Sequence, residues 1–114
     1  MRLRRACAIV LLTLAYASSP LQAADRIVVG SKNFEESRLL GEVFAQLLEA
    51  RTGLTVERRL GLAGTQVCFE ALRTGAIDVY PEYTGTGLVS ILGEPAKNDR
   101  SQTLNRVRSE FLAR

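Results

Sequence analysis

The chain has 114 residues, with 15 basic and 12 acidic side chains and no histidine. Three of the basic residues, Arg2, Arg4 and Arg5, lie in the first five positions, and without residues 1–23 the basic and acidic groups are equal in number. The net charge of +3 therefore gives no warrant for a nucleic-acid or anionic-membrane partner, and the lack of histidine removes support from serine–histidine triads and thiol enzymes.

Taken in chain order, the basic Met1–Arg5 segment precedes an apolar run, Ala6 to Ala17. That run falls short of the ~20 residues a spanning helix needs, so the segment reads as an export signal. Cleavage is expected after Leu21-Gln22-Ala23. The other small-residue site, Ala15-Tyr16-Ala17, is crowded by Pro20. An uncleaved membrane anchor is the alternative, and Cys7 lies too early to be a lipid-attachment cysteine. Residues 1–23 are thus expected to be a signal peptide and residues 24–114 one exported, periplasmic domain. Cys68 is then the sole cysteine, without an internal disulfide, in a position that suits a buried helix.

Arg26-Ile27-Val28-Val29-Gly30 is a β-branched run closed by glycine, as in a strand buried on both faces of a parallel sheet. Asn33 and Glu36 have the spacing of a capping box, which predicts a helix starting there. Its residues Leu40, Val43, Phe44, Leu47 and Leu48 form one apolar stripe expected to be buried, and Gly53 is expected to end it. Thr55 to Leu60 reads as a second strand, followed by the glycine-bracketed turn Gly61-Leu62-Ala63-Gly64-Thr65.

A helix carrying Val67, Cys68, Ala71 and Leu72 follows and stops at Gly75. Ile77 to Tyr80 is a third short strand cut off by Pro81. Thr84-Gly85-Thr86-Gly87 opens a helix bearing Leu88, Val89, Ile91 and Leu92, closed by Gly93 and Pro95. Ser101 is expected to cap a last helix with Leu104, Val107, Phe111 and Leu112 on one face. Strands alternating with helices indicate an α/β layer with a largely parallel sheet and helices on its faces. Ligands then belong at the carboxyl ends of the strands, where Ser31-Lys32-Asn33, Gly61–Thr65 and Pro81–Gly87 meet.

Neither a metal cluster nor a phosphate loop is apparent. Glu35, Glu36, Glu42 and Glu49 fit a solvated helix surface, and Gly61–Gly64 lacks the Lys-Ser or Lys-Thr pair of a nucleotide site. The binding edge instead carries neutral donors, one cation and aromatic rings, a set that suits a zwitterion. Lys32 is expected to meet a carboxylate, helped by Thr86 and by amides at the helix starts near Asn33, Thr65 and Thr86. Tyr83 is preferred to Tyr80 as the ring that holds a quaternary ammonium by a cation–π contact. Each has a plainer reading: Lys32 as an exposed loop lysine, Tyr83 as core, Asn33 as a cap. Glu82 could line the site or pair with Arg73.

The strings GSKNFEES (Gly30–Ser37), ERRLGLAGTQVCFEAL (Glu57–Leu72) and GAIDVYPEYTGTGL (Gly75–Leu88) together resemble the glycine betaine, carnitine and choline substrate-binding component of ABC importers. The resemblance runs from about Ile27 to Leu92, and its YPEYTGTG run after the LGLAGT turn is highly specific. It implies a periplasmic-binding-protein-like lobe, one of two that close on a solute, with tyrosines around the trimethylammonium. By the same resemblance Lys32, Tyr83 and Thr86 bind ligand, and Gly64 and Thr65 stand in the family's GGT turn, where Ala63 replaces the first glycine. Glu35-Glu36-Ser37 departs from the family's Thr-Glu-Gln.

The implied partners are a quaternary ammonium solute (glycine betaine, choline, carnitine, proline betaine or an ectoine-like compound) and a membrane permease with its ATPase, with no cofactor and a monomeric protein. Family members are longer and have a second lobe, which is missing from these 114 residues. A truncated, nonfunctional product is therefore one alternative, and a small secreted hydrolase using Ser31 or a threonine is another.

Overall fold

The computed structural model describes residues 25–113, so the expected signal peptide and its cleavage site lie outside the described residues. Strand β1 (Arg26–Gly30) pairs in parallel with β2 (Thr55–Arg59), in the register Arg26 to Thr55 through Gly30 to Arg59. Between them runs helix α1 (Glu35–Arg51), the crossover that a parallel pair requires. Helix α2 (Thr65–Arg73) follows β2. A short helical turn, α3 (Thr84–Thr86), continues into a π-helical turn, Gly87–Ile91, and α4 (Arg100–Leu112) ends the described chain.

The expected third strand is reduced to one parallel bridge, Val29 with Val79. Gly30 N donates to Val79 O at 2.8 Å and Asp78 N to Val28 O at 2.8 Å. The Asp78 side chain then takes the place of a main-chain acceptor, its Oδ2 receiving Val28 N at 2.7 Å. With a side chain inserted in the ladder and Pro81 unable to donate, regular pairing cannot extend. The spatial order is nonetheless β2, β1, then the Val79 segment, all parallel, an α/β arrangement consistent with part of a periplasmic-binding-protein lobe.

The core consists of Val28, Val29, Ala45, Cys68, Ile77 and Leu88, all buried. Helix α1 meets the sheet through a face of small residues, Ser37, Gly41 and Ala45, spaced four apart. A Cβ on Gly41 would stand 2.8 Å from Leu60 and 3.3 Å from Gly30 O, so the helix approaches the end of β1 more closely than a larger residue permits. The apolar stripe expected to be buried points the other way. Leu40, Val43, Phe44 and Leu47 are exposed, and with Val79, Tyr80 and Pro81 they line an open apolar groove of about 390 Å³.

Because Leu47 is 49 % exposed, Leu47→Ser is expected to change the unfolding free energy by no more than about 0.5 kcal/mol in urea titration. A loss above about 2 kcal/mol, the cost of an emptied core position, would show that the stripe is covered.

The element ends also differ from expectation. Thr52 closes α1, ahead of Gly53: its Oγ1 and its N–H both reach Leu48 O, at 2.6 and 2.9 Å. Asp99, two residues before Ser101, caps α4 by accepting Gln102 N at 2.7 Å. Gly75 ends α2 as expected, with φ +76°, a conformation that a Cβ disfavours.

Candidate functional site

Three loops leave the carboxyl ends of the strands and are tied into one edge. Ser31, fully buried, is the clasp. Its Oγ donates to Lys32 O at 3.0 Å and accepts Gly61 N at 2.8 Å, while its carbonyl accepts Leu62 N at 2.9 Å. Asn33 N donates to Ala63 O at 3.1 Å, fastening the first loop to the second. Gly61 turns the chain here with φ +77°, and the Arg38 guanidinium lies 2.6 Å from where a Cβ would sit. A serine committed on both sides and closed to solvent is not available as a nucleophile, which takes away Ser31, one of the residues that the hydrolase reading offered.

The expected capping box does not form. Helix α1 begins at Glu35 after an extended Phe34, with no side-chain cap. Instead Ser37 Oγ, buried in the first turn, accepts Lys32 N at 3.0 Å. Ser37 thus fixes the direction in which Lys32 leaves β1, and Asn33 is freed from the cap.

Lys32 is only 6 % exposed, which rules out the plain surface lysine. Its Nζ donates to Glu82 Oε1 at 2.6 Å and more weakly to Thr65 Oγ1 at 3.4 Å. One ammonium therefore joins all three loops. Glu82 Oε1 also accepts Tyr83 N at 2.9 Å, whereas Glu82 Oε2 is buried and has no hydrogen-bond partner among the described residues. Glu82 does not pair with Arg73, which is engaged by Glu70.

Phe34 and Tyr83 stack above this pair, their centroids 6.4 Å apart and their planes 22° from parallel. Lys32 Nζ lies 5.3 Å from each centroid, within the range of a cation–π contact. Partial burial, and next the Glu36 carboxylate, push the Tyr83 phenol above its ordinary range, so at neutral pH it is an uncharged donor. Tyr80 is likewise pushed up, by burial first and then by the Glu82 carboxylate. Behind Tyr83, a cavity of about 270 Å³ is lined by Tyr80, Glu82, Tyr83, Thr84 and Phe111 among others. Both tyrosines border this cavity.

Of the expected site residues, Lys32, Thr65 and Tyr83 are thus brought together. Gly64 adjoins them as the residue preceding α2, with φ −84° and open space where a Cβ would project. Thr86 is half-buried at the end of the α3 turn, linked to the cluster through the backbone, where Gly87 N donates to Tyr83 O at 2.8 Å. Sequence reasoning missed Phe34 as the second ring and left Glu82 undecided. An aromatic two residues after the lysine was the available signal, but pairing it with Tyr83 depends on loop closure. Cys68 is buried, and burial pushes its thiol up, so it packs as a small protonated hydrophobe.

The family described as the substrate binding domain of ABC-type glycine betaine transport system matches residues 25–111. Among curated proteins, the glycine betaine-binding protein YehZ of Escherichia coli is 44 % identical over 77 residues, covering 68 % of this chain and 25 % of the relative. The carnitine transport binding protein OpuCC of Listeria monocytogenes is 36 % identical over 91 residues, 79 % of this chain and 30 % of the relative. The ergothioneine transport permease/ergothioneine binding protein EgtU of Helicobacter pylori is 36 % identical over 88 residues, 75 % of this chain and 16 % of the relative. The chain therefore spans less than a third of the length of each of these relatives.

Proposed function

The chain belongs to the family of substrate-binding domains of ABC-type glycine betaine transport systems, and from that premise we propose that it supplies one wall of a pocket for a small quaternary ammonium solute. The solute class is that of glycine betaine and carnitine, named for two of the relatives. Each compound joins a trimethylammonium group to a carboxylate. The pocket delivers the solute, in the periplasm, to a membrane permease that imports it.

The observation that carries this reading is the Phe34–Tyr83 pair with a cation already 5.3 Å from both ring centroids. A quaternary ammonium offers no N–H, so an aromatic face and a nearby carboxylate are the groups that hold it. Gly64 and Thr65 open α2, where free amides and the helix dipole favour a carboxylate. Open space beside Gly64 admits a ligand to that backbone. Thr86 offers a hydroxyl on the neighbouring turn, and Lys32 is the cation for the solute's carboxylate.

Tyr83→Ala removes one of the two rings. A desolvated cation–π contact is worth about 2 kcal/mol, so the variant is expected to bind glycine betaine about 30-fold more weakly in calorimetric titration. Equal affinity in Tyr83→Ala and the unaltered protein would remove Tyr83 from the site.

A further inference from the structure

The open face of α1 has an order of its own. Counted outward from the midpoint between Val43 and Phe44, it reads Val43 and Phe44, then Leu40 and Leu47, then Glu36 and Arg51. At 3.6 residues per turn these six positions fall within about 100° of one another around the helix. All six are exposed, and the four apolar ones line the groove beside Val79 and Pro81. Other charges of the helix are drawn off this face: Glu42 and Glu49 both pair with Arg58 of β2, and Arg38 lies against the Gly61 turn. Glu36 and Arg51, at the two ends of the stripe, have no ion-pair partner among the described residues.

A face with this order is complementary to itself turned end for end. We infer that the groove of α1 is the interface of a homodimer, in which a twofold axis beside Val43 and Phe44 sets the two α1 helices antiparallel, in place of the monomer that the family resemblance implies. Leu40 of each copy then packs on Leu47 of the other, and each Glu36 carboxylate meets the other copy's Arg51. A parallel setting would bring like charges together at both ends. An unrelated partner would call for no such symmetry in the stripe, and this is what selects a second copy as its occupant. Helix α1 has 17 residues, a length of about 25 Å. One face of it falls short of the ~800 Å² per partner of a standard interface, so the dimer is weak and forms only at high concentration. In dilute solution the stripe stays open, and Leu47→Ser acts on association rather than on the fold of the single chain.

Sedimentation equilibrium of the intact protein from about 10 μM to about 1 mM is expected to show the mass rising from one chain toward two. Val43→Glu places a carboxylate beside the twofold axis and is expected to keep the protein a single chain throughout. Val43 is 56 % exposed, so this variant retains its fold by circular dichroism. Arg51→Glu and Glu36→Arg each put like charges at both ends of the stripe and are expected to weaken association about tenfold. The double variant Glu36→Arg/Arg51→Glu restores opposite charges and is expected to return to within about threefold of the unaltered protein. That recovery distinguishes the antiparallel pairing from a general loss of charge or of helix stability. A single chain at every concentration, a dimer that Val43→Glu leaves unchanged, or a double variant no tighter than the single ones would overturn the interface.

Discussion

Glu82→Leu is expected to destabilise the domain by about 3–5 kcal/mol, because it strands the Lys32 ammonium in a place where its side chain is 8 % exposed. Glu82 is itself 14 % exposed, so solvent screens the pair little from either side. For a domain of this size such a loss lowers the thermal midpoint by more than about 12 °C. The double variant Lys32→Met/Glu82→Leu removes both charges together and is expected to recover most of the loss, since the Tyr83 amide freed from Glu82 lies where water reaches it. A single variant that costs less than about 1 kcal/mol, as an exposed ion pair would, contradicts the buried bridge.

Ile77→Ala is the second large effect, expected at about 2–5 kcal/mol by denaturant titration. Ile77 is 1 % exposed and fills the space beside Gly30, where a Cβ would come within 2.7 Å of Ile77 Cδ1 and 3.2 Å of its Cγ2. Truncation leaves a void at the junction of β1 and the Val79 segment, where Gly30 has no side chain to fill it. Gly30→Ala in the same background partly refills that void, so the double variant is expected to be more stable than the sum of the single effects indicates. Strict additivity would mean that the two positions do not share the space.

The two paired strands were legible because Ile27-Val28-Val29 and Thr55-Val56 are local β-branched runs, and parallel pairing follows from the helix between them. The periodicity of α1 was legible too, but not the direction in which it faces. Spacing identifies a stripe, whereas the sheet-facing side was decided by Ser37, Gly41 and Ala45, whose small size allows the close approach. A four-residue recurrence of small side chains was present in the sequence and was outweighed by the more conspicuous leucines. At the site, Lys32 and Tyr83 could be chosen from type and position after strands. Their meeting through Glu82 could not, since the bridge joins residues 50 apart and depends on three loops closing together. Asn33 was misassigned for a local reason: Ser37 Oγ engages the Lys32 amide and moves the helix start past the capping-box spacing.

Amide NMR of the intact protein during titration with glycine betaine tests the ring-and-loop site most directly. The shifts are expected to concentrate at residues 32–34, at Gly64 and Thr65, and across residues 83–86, saturating together. Saturating solute that leaves those amides unmoved, or that shifts only residues along the apolar groove of α1, would contradict the site.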